Sequence, residues 1–175
     1  MGDEVKFLVE TFEKIWSRKK VWRYKFFKLD EGSGSQLVRL NDGLKKRRAH
    51  YKELLRKIRH AQNYICFGNA YFSPQFRLVA GLCFSARRGV DVNLIIPRKS
   101  DVFFMPWVGS TYYYALLKAG VKIHEYLPRV YHAKTYIIDE WVLLGSSNLN
   151  YRSLFHDLEV DLLVTHLENK KLIRD

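Results

Sequence analysis

Residues 131–153 read YHAKTYIIDEWVLLGSSNLNYRS, and their pattern decides what kind of sheet the chain builds. AKTYIID and WVLLGSSN are β-branched, aromatic and aliphatic runs of strand length, expected to pair as a hairpin turning at Asp139 and Glu140. Alternate residues of a strand face one side, so His132 and Lys134 are expected to project together, and Ser146 with Asn148 on the returning strand. An imidazole, a fixed cation and two neutral hydrogen-bonding groups then converge. That set suits a phosphate: Lys134 would neutralise it, Ser146 and Asn148 would bind its oxygens, and His132 would attack phosphorus or move a proton. Asp139 stands seven residues beyond His132, an odd offset that turns it to the other face or into the turn. There its carboxylate is expected to hold the hairpin.

These positions resemble the signature of the phospholipase D superfamily: His-x-Lys, four residues, Asp, then Gly-Ser-x-Asn. The pieces here are His132, Lys134, Asp139, Gly145, Ser146 and Asn148, six positions within seventeen residues. Five residues separate Asp139 from Gly145, where the family usually has six. The difference falls at the turn, where length is absorbed most easily, and it leaves both Ser146 and Ser147 eligible as the phosphate-facing serine.

The rest of the chain bounds the chemistry. Its 175 residues, 47% of them hydrophobic, are enough for one domain with a sizeable core and exclude a disordered chain. Thirty Lys and Arg against eighteen Asp and Glu give a net charge of +12, which favours a polyanionic partner. Charge alone leaves nucleic acid and an anionic membrane surface both open. Cys66 and Cys83 lack metal-ligand spacing and read as reduced core residues. The six histidines form no metal-ligand pattern either. No apolar run reaches the length of a membrane span, and MGDEVKF does not read as a signal peptide.

Taken in order, residues 3–18 are expected to form a helix whose apolar stripe packs on the body, with a membrane-surface helix as the alternative because a basic, aromatic run follows. The run RKKVWRYK at 18–25 interleaves cations with aromatics, and the basic segment it opens extends to Lys28. EGSGS at 31–35 reads as a connector. This divides the chain into an N-terminal helix and basic segment (1–30), a linker (31–35) and a main domain (36–175). A short strand at Leu37–Leu40 leads to LKKRRAHYKELLRKIRHA, a strongly basic helix burying Tyr51, Leu54, Leu55 and Ile58. NYICFGNAYFSP reads as a buried strand ending at Pro74. Two helix–Gly–Val–strand units follow, stopping at Gly89 and Gly120, and they signal an α/β layer architecture. Between them DVFFMPWVGSTYYY is expected to begin as a loop, with Phe103, Phe104, Met105 and Trp107 either folded over the core or touching acyl chains at a membrane interface. SLFHDLEVDLLV reads as a last strand in which Val160, Leu162 and Val164 alternate with Glu159 and Asp161, so one face is wet or functional. Glu159 is a candidate to fix the tautomer of a catalytic histidine.

GNAYFSP, ARRGVDVNLIIPRKSD, LLKAGVKIHEY and SSNLNYRSLFHDLEVDLLV extend the resemblance over about residues 36–164, towards the second half of bacterial cardiolipin synthases. The resemblance implies an α-β-α sandwich around a mixed β-sheet, forming one half of a two-motif active site. His132, Lys134 and Asp139 would be the catalytic set, with Lys134, Ser146 and Asn148 cradling the phosphate and Glu159 behind the histidine. His132 would form a phosphohistidine, and no metal or cofactor would be required. The implied function is phosphatidyl transfer on an anionic, phosphatidylglycerol-like phospholipid, at a peripheral membrane contact on the cytoplasmic side. A homodimer, or a missing N-terminal half, would supply the second motif. The alternatives are a nucleic-acid phosphodiesterase of the same superfamily, or a non-catalytic half that binds anionic surfaces.

Overall fold

The computed structural model describes residues 3–16, 38–127, 129, 131–165 and 173. Seven helices and strands lead to the site: α1 (Asp3–Trp16), β1 (Val38–Leu40), α2 (Leu44–His60), β2 (Tyr64–Asn69), α3 (Phe76–Arg87), β3 (Asp91–Pro97) and α4 (Met105–Ser110). The chain continues through α5 (Tyr113–Lys118), β4 (Lys122–Tyr126), β5 (Lys134–Ile138), β6 (Trp141–Gly145), α6 (Tyr151–Phe155) and β7 (Val160–Val164). The strands form one mixed sheet in the order β1-β7-β6-β5-β2-β3-β4. Strands β2, β3 and β4 run parallel, and the remaining pairs are antiparallel. Helices flank this sheet, as expected of the α/β reading.

The parallel half follows from the two glycine stops. Gly89 and Gly120 take φ of +92° and +95°, a left-handed conformation open to glycine at little cost. In each case the next amide reaches back five residues, Val90 to Ser85 O at 3.2 Å and Val121 to Leu116 O at 3.0 Å. These paired bonds close each helix and aim the chain into its strand. β2 lies centrally, between β3 and β5, and every residue after Tyr64 is buried. Helices α2 and α3 cross over the same sheet face: Tyr51, Leu54, Ile58, Leu78 and Leu82 join Ile65, Phe67, Leu94 and Tyr136 in the main core. Ser85 Oγ donates to Ile58 O at 2.6 Å and ties the two helices together.

Four expectations are corrected. The segment beyond Val102 forms the short helix α4, with Pro106 in its first turn, and Phe103, Phe104 and Trp107 are exposed instead of folded over the core. SLF belongs to helix α6, started by the Asn150 side chain accepting from Ser153 N at 2.7 Å, so the last strand begins only at Val160. That strand also inverts the expected polarity. Glu159 and Asp161 are buried (8% and 5% exposed), while Val160 and Leu162 are 43% and 45% exposed. Alternation identifies two faces but not which is covered, and here hydrogen bonds make the interior tolerable for the carboxylates. Finally, the apolar residues Val5, Val9, Phe12 and Trp16 of α1 are exposed, not packed on the body. The basic segment at 18–28 and the connector at 31–35 lie outside the described residues.

Candidate active site

The β5–β6 hairpin turns at Asp139 and Glu140, with Ile138 opposite Trp141. Asp139 adopts φ +48° and its amide donates to Tyr64 O at 2.9 Å. Its carboxylate accepts from the amides of Gln62 and Asn63, both at 2.9 Å, and of Tyr64 at 3.0 Å. It therefore joins the hairpin to the start of β2. Seven residues of nearly extended chain put it roughly 20 Å from His132. The structural task expected of Asp139 fits this geometry, and its place among catalytic residues does not.

The other end of the hairpin gathers the polar groups, although not by strand alternation. His132 lies before β5 and is exposed, while Lys134 opens the strand and is buried. The two are linked because Lys134 Nζ turns back and donates to His132 O at 2.7 Å. Burial pushes the Lys134 ammonium below the usual lysine range, and the charges of Glu159 and Asp101 oppose that shift. Lys134 is thus a buried cation whose charge is favoured by carboxylates from two distant segments.

Ser146 and Asn148 follow β6, and neighbouring strands hold them from below. Ser146 Oγ donates to Glu159 and accepts from Val160 N at 3.0 Å. Ser147 is buried, and its hydroxyl donates to Asp161 Oδ2 at 2.6 Å. Of the two serines, Ser146 is thus the one at the surface of the site. Asn148 is buried, and its Oδ1 has no hydrogen-bond partner among the described residues. Glu159 bonds to Ser146 and Ser153, and burial nonetheless pushes its carboxyl above the usual range. These bonds direct Glu159 to the serines and not to the His132 ring.

Gly145 has a steric reason to be glycine. It pairs with Asp161, and a Cβ there would fall on the Asp161 carboxylate and Val160 carbonyl, and 2.6 Å from Asp161 Cα. At Gly68 a Cβ would fall on the hydroxyl oxygen of Tyr131, the neighbour of His132, and stand 3.0 Å from its ring.

Several contributors escaped the motif. Tyr71 packs edge-on against His132, with ring centroids 5.6 Å apart, and Lys134 Nζ lies 5.9 Å from the same ring. Its hydroxyl donates to the Asp101 carboxylate at 2.6 Å, which pushes the Tyr71 hydroxyl up to about 12. Asn69, paired with Lys134 across the sheet, donates to Tyr136 Oη at 3.0 Å and accepts from Leu149 N at 3.2 Å. It thereby fixes the backbone just after Asn148. Beneath lies a chain of donors: His50 Nδ1 to Asn41, Asn41 Nδ2 to Ser147 Oγ at 3.4 Å, and Ser147 to Asp161. The only sequence signal for these residues was polarity in strongly apolar strand ends, as at Asn69 and Asp161.

Residues 54–175 match the family described as "Cardiolipin synthase, PLD-like domain". The chain belongs to that phospholipase D-like family. Among curated relatives of this phospholipase D-like domain, Cardiolipin synthase A of Cronobacter sakazakii is 36% identical over 115 residues, 65% of this chain and 24% of that protein. Cardiolipin synthase A of Citrobacter koseri gives the same identity and coverage, 36% over 65% and 24%. The domain thus spans about a quarter of the length of these relatives. In fold it is similar to Nuc from Salmonella typhimurium, a phospholipase D family member. That match has a TM-score of 0.59 and 17% identity, covering 78% of this chain and 88% of the other. NucT from Helicobacter pylori likewise gives a TM-score of 0.59 at 16% identity, over 78% and 89%.

Proposed function

We propose that this phospholipase D-like domain transfers a phosphatidyl group between alcohols, using His132 as the nucleophile. A ring nitrogen of His132 attacks phosphorus, the bond to the first alcohol breaks, and that alcohol leaves with a proton from a histidine on a second motif. The second alcohol then attacks the phosphohistidine, gives its proton to the same partner histidine, and frees His132. Lys134 balances the phosphate charge where burial makes that charge count most. The side-chain amide of Asn148 donates to the phosphate oxygens, and Ser146 joins it by turning its hydroxyl proton from Glu159 to the phosphate. Glu159 holds Ser146 until the phosphate arrives and keeps Lys134 charged. Asp139 acts at a distance by fixing the hairpin.

The observation that carries this reading is Lys134: a buried cation bonded to the His132 backbone, feeling Glu159 beside Ser146. The identity to proteins named Cardiolipin synthase A supports lipid as the substrate. In-line displacement needs groups on both sides of phosphorus, and His132 stands on one. A second copy, or a preceding half with its own motif, completes the site.

The test is turnover of labelled phosphatidylglycerol and, separately, of single-stranded DNA, across a dilution series followed by light scattering. Phospholipid turnover should track the dimer fraction and survive EDTA. Loss of activity on chelation would contradict a metal-free displacement. Efficient DNA cleavage with no phospholipid turnover would replace this reading by the nuclease one.

A further inference from the structure

We propose that Phe103, Phe104 and Trp107 form a membrane-interface anchor that seats the mouth of the candidate site at the headgroup level of an anionic bilayer; this rests on the lipid reading above. Their side chains are 75%, 47% and 70% exposed, an unusual concentration of uncovered aromatic surface on one turn. They are preorganised: Phe103 meets Phe104 at 5.6 Å and Trp107 at 6.1 Å between ring centroids, both edge-on. The base beneath them is firm. Met105 N bonds to Val102 O at 2.9 Å, and Gly109 lies so close to Phe72 that a Cβ would stand 3.2 Å from its carbonyl oxygen.

Position distinguishes this cluster from the other exposed apolar residues. Asp101 holds the hydroxyl of Tyr71, and the Tyr71 ring packs on His132. Phe103 is two residues further on, at most about 7 Å of chain. A phospholipid needs that layout, with its phosphate at the histidine and its acyl chains a short step away in the hydrocarbon. Aromatic side chains favour the boundary between the two. The charge is mixed locally and positive overall: exposed Lys99 adds a cation, exposed Arg98 is paired with Glu125 at 3.4 Å, Asp101 keeps its negative charge, and the chain carries +12. An anionic surface is therefore attracted, and the aromatics add a component that salt does not screen.

The experiment uses the full chain with Trp16, Trp22 and Trp141 replaced by Phe, its fold checked by circular dichroism, so that Trp107 alone reports. Vesicles contain equal parts phosphatidylglycerol and phosphatidylcholine, with acyl chains brominated at graded depths. Trp107 fluorescence should shift to the blue and be quenched, most strongly by shallow bromines. In the otherwise natural chain, the paired substitution Phe103→Ser and Trp107→Ser should weaken vesicle binding at least tenfold at physiological salt. The same variant should turn over dispersed short-chain phosphatidylglycerol at the rate of the unsubstituted chain. An unquenched Trp107, with vesicle binding unaffected by the pair, overturns the anchor. So does a variant that loses its dimer while binding vesicles normally, since the cluster is then a protein interface. A quenched Trp107 in a dimeric chain that cleaves single-stranded DNA and turns over no phospholipid supports the anchor and refutes the transfer reading.

Discussion

At the scale of single residues, burial has been arranged against ordinary preference around the site. Lys134, Glu159 and Asp161 are all buried, and each leans on hydrogen bonds or opposite charge. His50 shows how far this goes. Burial, and after it the Arg39 guanidinium, holds its imidazole down at about 4. Below pH 6.5 the unfolded chain takes up a proton that folded His50 refuses until about pH 4. Stability should therefore fall as pH drops through that window, by roughly 2 kcal/mol once partial exposure is discounted. His50→Gln keeps an amide facing Asn41 but removes the titration. Urea midpoints at pH 7 and pH 4 should show a smaller loss in the variant than in the unsubstituted chain. Equal losses would contradict a neutral, donor-chain role for His50.

Among the elements, the β6–β7 pair sets the site, and at Gly145 the two strands leave no room for a side chain. Gly145→Ala would drive its Cβ into backbone and into the Asp161 carboxylate, neither of which is a flexible side-chain end. The strands must part, and Ser146 and Ser147 lose their hold on Glu159 and Asp161. About 3 kcal/mol of destabilisation is expected, with loss of turnover even where the variant remains folded. Urea unfolding at neutral pH checks the first part, and unchanged stability would contradict the packing account. At this scale the sequence was unevenly legible. The hairpin and the two glycine stops could be read because turn chemistry is local. The orientation of β7 could not, because alternation never says which side a neighbouring layer covers. Tyr71 and Asp101 were hidden for another reason: Tyr71 meets the His132 ring, and Asp101 meets Tyr71, only through tertiary packing of segments earlier in the chain. The short helix α4 was masked by Pro106, which reads as a loop residue yet fits a first helical turn.

Across the whole molecule, the candidate site gathers at the Lys134 end of the β5–β6 hairpin, and the exposed Phe103, Phe104 and Trp107 follow Asp101, which holds the Tyr71 hydroxyl. Among the described residues no helix is long and apolar enough to cross a membrane. The family and the α/β architecture were legible from the motif at 132–148 and from the repeated helix–Gly–Val–strand units. The division at 31–35 falls on residues the structure does not describe. The central claim is that His132 becomes covalently phosphorylated during turnover. The direct measurement is rapid quenching of the paired, active protein with phospholipid labelled at phosphorus, followed by peptide mapping. The account predicts an acid-labile, base-stable adduct on His132, absent from His132→Ala and strongly reduced in Lys134→Ala. Turnover persisting in His132→Ala, or an adduct on another residue, would contradict it.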